Sequence, residues 1–219
     1  MKKCIIIGAG VCNAQRLLKQ MTLQEGDLCI AADGGLTYLQ QIGILPDIVL
    51  GDMDSLESQE LCGPFQIKKL PVEKDDTDML AAIKEGLNAG YKQFTLYGAL
   101  GGRLDHTLAN IQCLLYLLNR GATGTIAGED VLLTLIKDTK ISFTDHFARK
   151  GRRISVFAFG GDAYGVCERG LKYLLDSVTV RQEFPIGVSN EFIGETAEIE
   201  VQRGMLLICI EQDNWEESV

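Results

Sequence analysis

The sequence is short of several things that would define a protein class. It has four Pro, one Trp and two His in 219 residues. Its seven Cys, at 4, 12, 29, 62, 113, 167 and 209, form no C-x-x-C pair and are odd in number. Neither a zinc site nor a disulfide framework fits that spacing. Cys4, Cys29 and Cys209 stand in apolar runs and read as small buried hydrophobes, and reduced thiols point to the cytoplasm. Basic residues are outnumbered, 21 Lys plus Arg against 30 Asp plus Glu, for a formal net charge of −9. That balance argues against a nucleic-acid binder, whose grip comes from Lys and Arg on phosphates. No apolar run approaches membrane-spanning length. The basic-then-apolar start is cut at once by Gly8-Ala9-Gly10 and reads as a strand, not a leader. A Gly-Lys dipeptide, a protein-kinase catalytic loop and G-x-S-x-G are all missing, which excludes a Walker A loop and the usual serine-hydrolase elbow. Hydrophobic residues at 46% and charged residues at 23% are ordinary for a globular chain.

What is present changes character part-way along, which predicts two domains, 1–130 and 131–219. The first alternates strands with helical patterns: Cys4–Ile7, Leu28–Ala31, Ile48–Leu50, Phe65–Leu70, Phe94–Tyr97 and Thr123–Ala127 are the strands. Leu104–Asn119 is the clearest helix, with Leu104, Leu108, Ile111, Leu115 and Leu118 as its apolar stripe and Gly121 as its stop. Met79, Leu80, Ile83 and Leu87 form another helical stripe. Such alternation predicts a parallel α/β sheet. The second domain lacks it. Val131–Ile136, Ile141–Phe143, Ile154–Phe159, Val178–Gln182, Ala197–Val201 and Leu206–Ile210 predict an all-β, antiparallel domain.

Open parallel sheets bind ligands beyond the C-terminal ends of their strands. Three strands here run into acidic turns: Ala32-Asp33-Gly34-Gly35, Gly51-Asp52-Met53-Asp54-Ser55 and Glu73-Lys74-Asp75-Asp76-Thr77-Asp78. Clustered carboxylates repel unless a cation or shared protons relieve them. Mg²⁺, which takes one or two carboxylates together with waters and substrate phosphates, is the natural relief. Asp52 and Asp54 share one side of extended chain, and Asp75 and Asp78 share a face if both lie on a first helical turn. Asp75 or Asp76 is also placed to cap that helix. The plain alternative, turn formers and caps only, does not require acidic residues to gather at three strand ends.

A fourth strand ends in Gly98-Ala99-Leu100-Gly101-Gly102-Arg103-Leu104-Asp105-His106. A Gly-rich turn opening a helix, with an Arg beside it, suits a phosphate; the alternative is a flexible connection capped by Asp105. Gly8-Ala9-Gly10 begins like a dinucleotide fingerprint, but Asn13 stands at the last glycine position. It reads as a tight turn bordering a nucleotide other than NAD. His106 reads as structural or as a supporting donor rather than a base.

In order, Ala32-Asp33-Gly34-Gly35, Pro46-Asp47 with Gly51-Asp52-Met53-Asp54-Ser55, Asp75-Asp76-Thr77-Asp78, Gly101-Gly102-Arg103-Leu104-Asp105-His106, Gly170-Leu171-Lys172-Tyr173 and Gly187-Val188-Ser189-Asn190-Glu191-Phe192 resemble the motifs of the thiamine pyrophosphokinase family. The resemblance covers most of the chain. It implies an α/β nucleotide-binding domain followed by a β-sandwich that binds thiamine. It also implies a homodimer holding thiamine between its subunits, and transfer of diphosphate from ATP to the thiamine hydroxyl with release of AMP. Carried over, Asp52, Asp54 and Asp78 are implied Mg²⁺ ligands, with Asp75 and Asp33 in the same crevice. Gly34, Gly35, Gly101 and Gly102 border the nucleotide. Thr77, Arg103 and Asp105 contact phosphate or the metal shell, and Ser189 and Asn190 contact the thiamine pyrimidine. Asp33 and Asp54 both stay open as proton acceptor. Met53 replaces the family's usual Phe, and Leu174 stands where Pro often follows the Tyr.

Three other readings share the acidic motifs: a sister pyrophosphokinase acting on a hydroxymethylpterin, a metal-dependent phosphohydrolase, and a thiamine or nucleotide sensor built on a retired enzyme. Lys172-Tyr173 and Ser189-Asn190 favour thiamine over the pterin. A sensor would have lost a metal carboxylate, and all the expected ones are here.

Overall fold

The run Cys4–Ile7 forms β1, the strand on which a parallel sheet is built, and all four of its residues are buried, as a strand covered on both faces must be. The computed structural model describes residues 2–51, 65–69, 75–144 and 147–212. Its chain divides into two units, Met1–Glu129 and Asp130–Val219.

In the first unit the remaining strands are β2 (Leu28–Ala32), β3 (Ile48–Gly51), β4 (Gln66–Lys69), β5 (Gln93–Tyr97) and β6 (Thr123–Ala127). The helices are α1 (Ala14–Gln20), α2 (Gly35–Gln41), α3 (Asp78–Asn88) and α4 (Leu104–Leu118). Within this unit the strand order is β6-β5-β1-β2-β3-β4, and every pairing is parallel. The chain winds outward from β1 to β4, then returns to place β5 on the other flank of β1. The topological switch therefore falls between β1 and β5, where a sheet of this kind opens a crevice.

Helices sit on the sheet where a glycine makes room. A Cβ on Gly124 of β6 would stand 2.6 Å from Leu117 and 2.9 Å from Leu114, so α4 presses those leucines into the strand there. The face that α4 buries is Asn110, Cys113, Leu114 and Leu117. This corrects the stripe expected from the sequence, since Leu104 and Leu108 are exposed at 72% and 55%. An apolar helix offers two stripes, and the one matching the groove over Gly124 wins. The start of α3 also differs from expectation. Thr77, not Asp75 or Asp76, is the N-cap: its backbone is extended and its Oγ1 accepts from Leu80 N–H at 3.2 Å. Asp75 thus precedes the helix, and the expected helical face shared by Asp75 and Asp78 does not form.

The second unit contains β7 (Val131–Lys137), β8 (Lys140–Phe143), β9 (Arg153–Ala158), β10 (Ala163–Arg169), β11 (Leu175–Val180), β12 (Gly187–Glu191), β13 (Ala197–Glu200) and β14 (Met205–Glu211). They form two antiparallel layers, β12-β9-β14-β7 and β11-β10-β13-β8. One apolar core draws on both, with Ile154, Val156 and Ile208 from the first and Phe143, Val166 and Ile199 from the second, which makes the unit a sandwich. Neither β10 nor β12 was foreseen. Both carry glycine and polar residues and both shift register against a neighbour, so neither shows strand periodicity.

Gly35 gives the sharpest steric test. A Cβ there would meet the Ile7 carbonyl oxygen at 1.9 Å, whereas one on Gly43, at φ +69°, would meet nothing within 4 Å. Gly35→Ala should cost about 3 kcal/mol or block folding, by overpacking, against about 1 kcal/mol of backbone strain for Gly43→Ala. Urea unfolding of the two variants measures the difference.

Candidate active site

The turns leaving β1 and β5 are fastened to each other through their backbones. Gly8 N–H donates to the Tyr97 carbonyl at 2.8 Å, Gly10 N–H to the Gly98 carbonyl at 2.8 Å, and Val11 N–H to the Leu100 carbonyl at 3.0 Å. Only glycine permits this approach. Gly98 lies at φ +56°, and a Cβ on it would stand 2.3 Å from the Gly8 oxygen. From the side, Tyr38 of α2 donates its hydroxyl to the Gly10 carbonyl at 2.9 Å.

Beside this seam lies a cavity of about 440 Å³, walled by the 8–11 turn, the 98–103 turn, the end of β2, and the starts of α3 and α4. It brings together Asp33, Thr77, Asp78, Gly101, Gly102 and Arg103 of the residues expected from the sequence. Asp33 holds a left-handed backbone, φ +51°, unusual for a residue with a side chain although Asp tolerates it better than most. Its N–H still donates to the Leu50 carbonyl at 2.8 Å, so the β2–β3 ladder runs up to the cavity edge. Asp78 is the first residue of α3, where a carboxylate is favoured by the helix dipole. Thr77 keeps its O–H to donate after accepting from Leu80.

Arg103 is the N-cap residue of α4. Its Nε and one terminal nitrogen reach the two Asp105 oxygens at 3.1 and 2.7 Å. That hydrogen-bonded guanidinium is the main reason the Asp105 carboxyl is held at about 2, below its ordinary 3.8. Asp105 also accepts from His106 N–H at 2.9 Å. It reaches the cavity through Arg103 rather than as a wall residue.

The other expected residues fall elsewhere. Gly34 and Gly35 are absent from the cavity wall; Gly35 seats α2 against β1 instead. Asp75 is also off the wall, and Asp76 is bound by Lys84, whose Nζ lies 2.7 and 2.5 Å from its two oxygens. Asp52 and Asp54 lie outside the described residues. Two polar wall residues were missed, Tyr38 and Asn110. Asn110 is buried and donates to the Ala99 carbonyl at 2.7 Å, pinning the glycine turn to α4. Its spacing was the available signal, since positions 103, 106 and 110 share one side of a helix.

The donor set suits a hard cation. Asp33 and Asp78 line one cavity with Arg103, and Mg²⁺ uses few carboxylates with waters and phosphate oxygens. Among the described residues no three His, Cys, Asp or Glu gather into a metal site of their own.

In the second unit the two late motifs meet. Gly170 lies at φ +69°, and a Cβ there would stand 2.1 Å from the Thr196 carbonyl. Leu171 bridges Phe192, and Lys172 N–H donates to the Glu191 carbonyl at 2.9 Å. Asn190 is buried, and its amide is fully used. It accepts from Tyr173 and Glu191 N–H at 3.0 and 2.9 Å, and donates to the Tyr173 carbonyl at 2.6 Å and Glu168 at 2.7 Å. Its side chain therefore braces Tyr173 and has no group left over for a ligand. Ser189 is exposed at a left-handed φ of +60°, with its N–H on Ser155 Oγ at 3.0 Å.

Comparison with known proteins agrees across both units. Residues 19–125 match the family model "Thiamin pyrophosphokinase, catalytic domain", and residues 138–206 match "Thiamin pyrophosphokinase, vitamin B1 binding domain". The thiamine pyrophosphokinase of Bacillus subtilis (strain 168) is 28% identical over 97% of this chain and 100% of its own length. Thiamine pyrophosphokinase 1 of Oryza sativa subsp. japonica is 28% identical over 70% of this chain and 62% of its own. Among solved structures, the Bacillus subtilis enzyme superposes with a TM-score of 0.85 at 24% identity, covering 97% of this chain and 100% of that one. The Candida albicans enzyme gives 0.79 at 17% identity, covering 97% and 89%. These two superpositions establish the fold.

The Arg103–Asp105 pair is measurable directly. Asp105 has a lowered pKa in the folded state, so what the pair adds to stability is present above the ordinary carboxylate pKa and is lost as pH falls through about 2. Carboxyl NMR should place the Asp105 midpoint near 2, and Arg103→Ala should return it to the ordinary range near 3.8.

Proposed function

The chain belongs to the thiamin pyrophosphokinase family, and on that premise we propose that it transfers the terminal diphosphate of ATP to the hydroxyethyl group of thiamine. The observation that carries this reading is the crevice at the β1–β5 switch, where Asp33, Asp78 and Arg103 share one cavity. ATP binds in the first unit, with its phosphates toward the N–H groups of the 101–103 turn and the start of α4. The thiamine hydroxyl oxygen forms the new bond to the β-phosphorus. The bond from that phosphorus to the α–β bridging oxygen breaks, and AMP leaves with the electron pair. The hydroxyl proton passes to a carboxylate, either Asp33 of the crevice or Asp54. Arg103 stabilises charge on the transferred oxygens. Asp52, Asp54, Asp75 and Asp78 would supply the carboxylates for Mg²⁺; the ion would neutralise phosphate charge and steady the leaving group. Most of the catalytic work is positioning and charge neutralisation, as diphosphoryl transfer requires.

The second unit supplies the thiamine contacts, from Ser189 and the Lys172-Tyr173 turn. It also exposes Tyr173, Leu174, Phe184, Ile186 and Val188. Apolar surface of this extent supports a homodimer in which a second copy covers part of it. The net charge of −9 supports small-molecule partners over nucleic acid. The six described cysteines are free, and among the described residues no helix is long and apolar enough to cross a membrane. Burial raises the Cys29 thiol to about 12 and those of Cys12, Cys113 and Cys209 to about 11. Unreactive reduced thiols support a cytoplasmic setting.

AMP and thiamine diphosphate should form together, and only when ATP, Mg²⁺ and thiamine are all supplied. AMP or ADP release without thiamine, or AMP formation with a pterin alcohol alone, would sink the proposal. Arg103→Ala should lower kcat by about 10²–10³-fold. It should lower the melting temperature only slightly, because the Arg103–Asp105 pair is exposed to solvent. Sedimentation should give twice the chain mass.

A further inference from the structure

Glu168 is out of place in an apolar core. It is 1% exposed, on β10 between the paired positions Leu175 of β11 and Ile199 of β13. Its Oε2 accepts from Asn190 Nδ2 at 2.7 Å, while its Oε1 is buried with no hydrogen-bond partner among the described residues. Burial raises its pKa, and the Asn190 bond opposes that rise. A carboxyl buried with half its capacity unmet destabilises a fold, and an apolar residue would pack the position better. What Glu168 contributes is the one contact it makes. That contact orients the Asn190 amide, because a side-chain amide can flip unless a neighbour distinguishes its ends. With Nδ2 turned to Glu168, Oδ1 faces the N–H groups of Tyr173 and Glu191, and the second Nδ2 hydrogen reaches the Tyr173 carbonyl. Tyr173 is then held at both ends of its backbone while the residue stays 60% exposed, with the Lys172 ammonium 5.6 Å from the ring centroid.

We propose that Glu168 is a positioning residue: through Asn190 it locks the Lys172-Tyr173 turn in the conformation that receives thiamine. The proposal rests on the reading of the second unit as the thiamine-binding one. Two variants of the full chain separate position from fold. Glu168→Gln keeps an acceptor for Asn190. Glu168→Leu removes it but fills the core, and replacing a buried charge by an apolar group need not destabilise. Glu168→Met repeats the second with a more adaptable side chain. In the Leu and Met variants the Tyr173 amide should exchange with solvent about tenfold faster and the thiamine KM should rise about tenfold, the loss of one hydrogen bond. The ATP KM and kcat should stay within about twofold, and Glu168→Gln should match wild type throughout. Unchanged Tyr173 exchange in the Leu and Met variants would overturn the proposal. So would a rise in both KM values together, or a Gln variant as impaired as the Leu variant. If the wild-type chain makes no thiamine diphosphate, the functional reading fails by itself, and Tyr173 exchange alone then decides whether Glu168 locks the turn.

Discussion

The first unit depends on how closely two strand exits approach each other. The turns after β1 and β5 are joined by backbone hydrogen bonds at Gly8, Gly10 and Val11, and the join closes only because neither Gly8 nor Gly98 carries a Cβ. With that seam fixed, the glycine turn after β5 is held in place, and Asn110 pins it again through the Ala99 carbonyl. The start of α4 then presents its N–H groups and Arg103 to the same cavity as Asp33 and Asp78. A substitution at the seam would shift the glycine turn and the start of α4 that it holds, although Gly8 and Gly98 have no functional group of their own.

Electrostatics then sorts the carboxylates. The chain carries many acids, and those in the turns that follow the strands were the candidates. Ion pairs separate their tasks. Lys84 binds both oxygens of Asp76 on the flank of α3. Asp47 accepts from Cys29 N–H at 2.8 Å and so ties the start of β3 to β2. Asp105 is paired with Arg103, which fixes the direction of the guanidinium before any phosphate arrives. Asp33 and Asp78 line the cavity itself, where two acids in one cavity are tolerable when a cation relieves them.

The strands of the first unit were legible because short β-rich runs alternate there with helical patterns, and Cys4–Ile7 and Thr123–Ala127 matched the structure at both ends. The sandwich strands with clean alternation, such as Ala197–Glu200, were legible for the same kind of reason. Choices that depend on a partner were not. The face that α4 buries is decided by Gly124 on another element, which no helical periodicity encodes. Asn190 stood in a recognisable motif, yet its hydrogen bonds go to Tyr173 and Glu168, residues distant in sequence and brought together only by the sandwich. Asp52 and Asp54 lie outside the described residues, so for them the sequence pattern is the whole argument.

The two units hold their functional loops by different physics, and this affects how each can vary. The first uses backbone bonds and missing side chains. Its geometry is set by what must be absent at Gly8, Gly35 and Gly98, so it tolerates almost no substitution there. The second holds the Lys172-Tyr173 turn with a side-chain amide whose bonds are all satisfied, backed by a carboxyl that is only half satisfied. Side-chain networks in a low-dielectric core are strong when complete and costly when not, and single residues can adjust them without moving the backbone. The turns of the first unit are therefore fixed through its backbone, whereas in the second, on the proposal that it receives thiamine, one buried side chain is enough to change how the Lys172-Tyr173 turn is held.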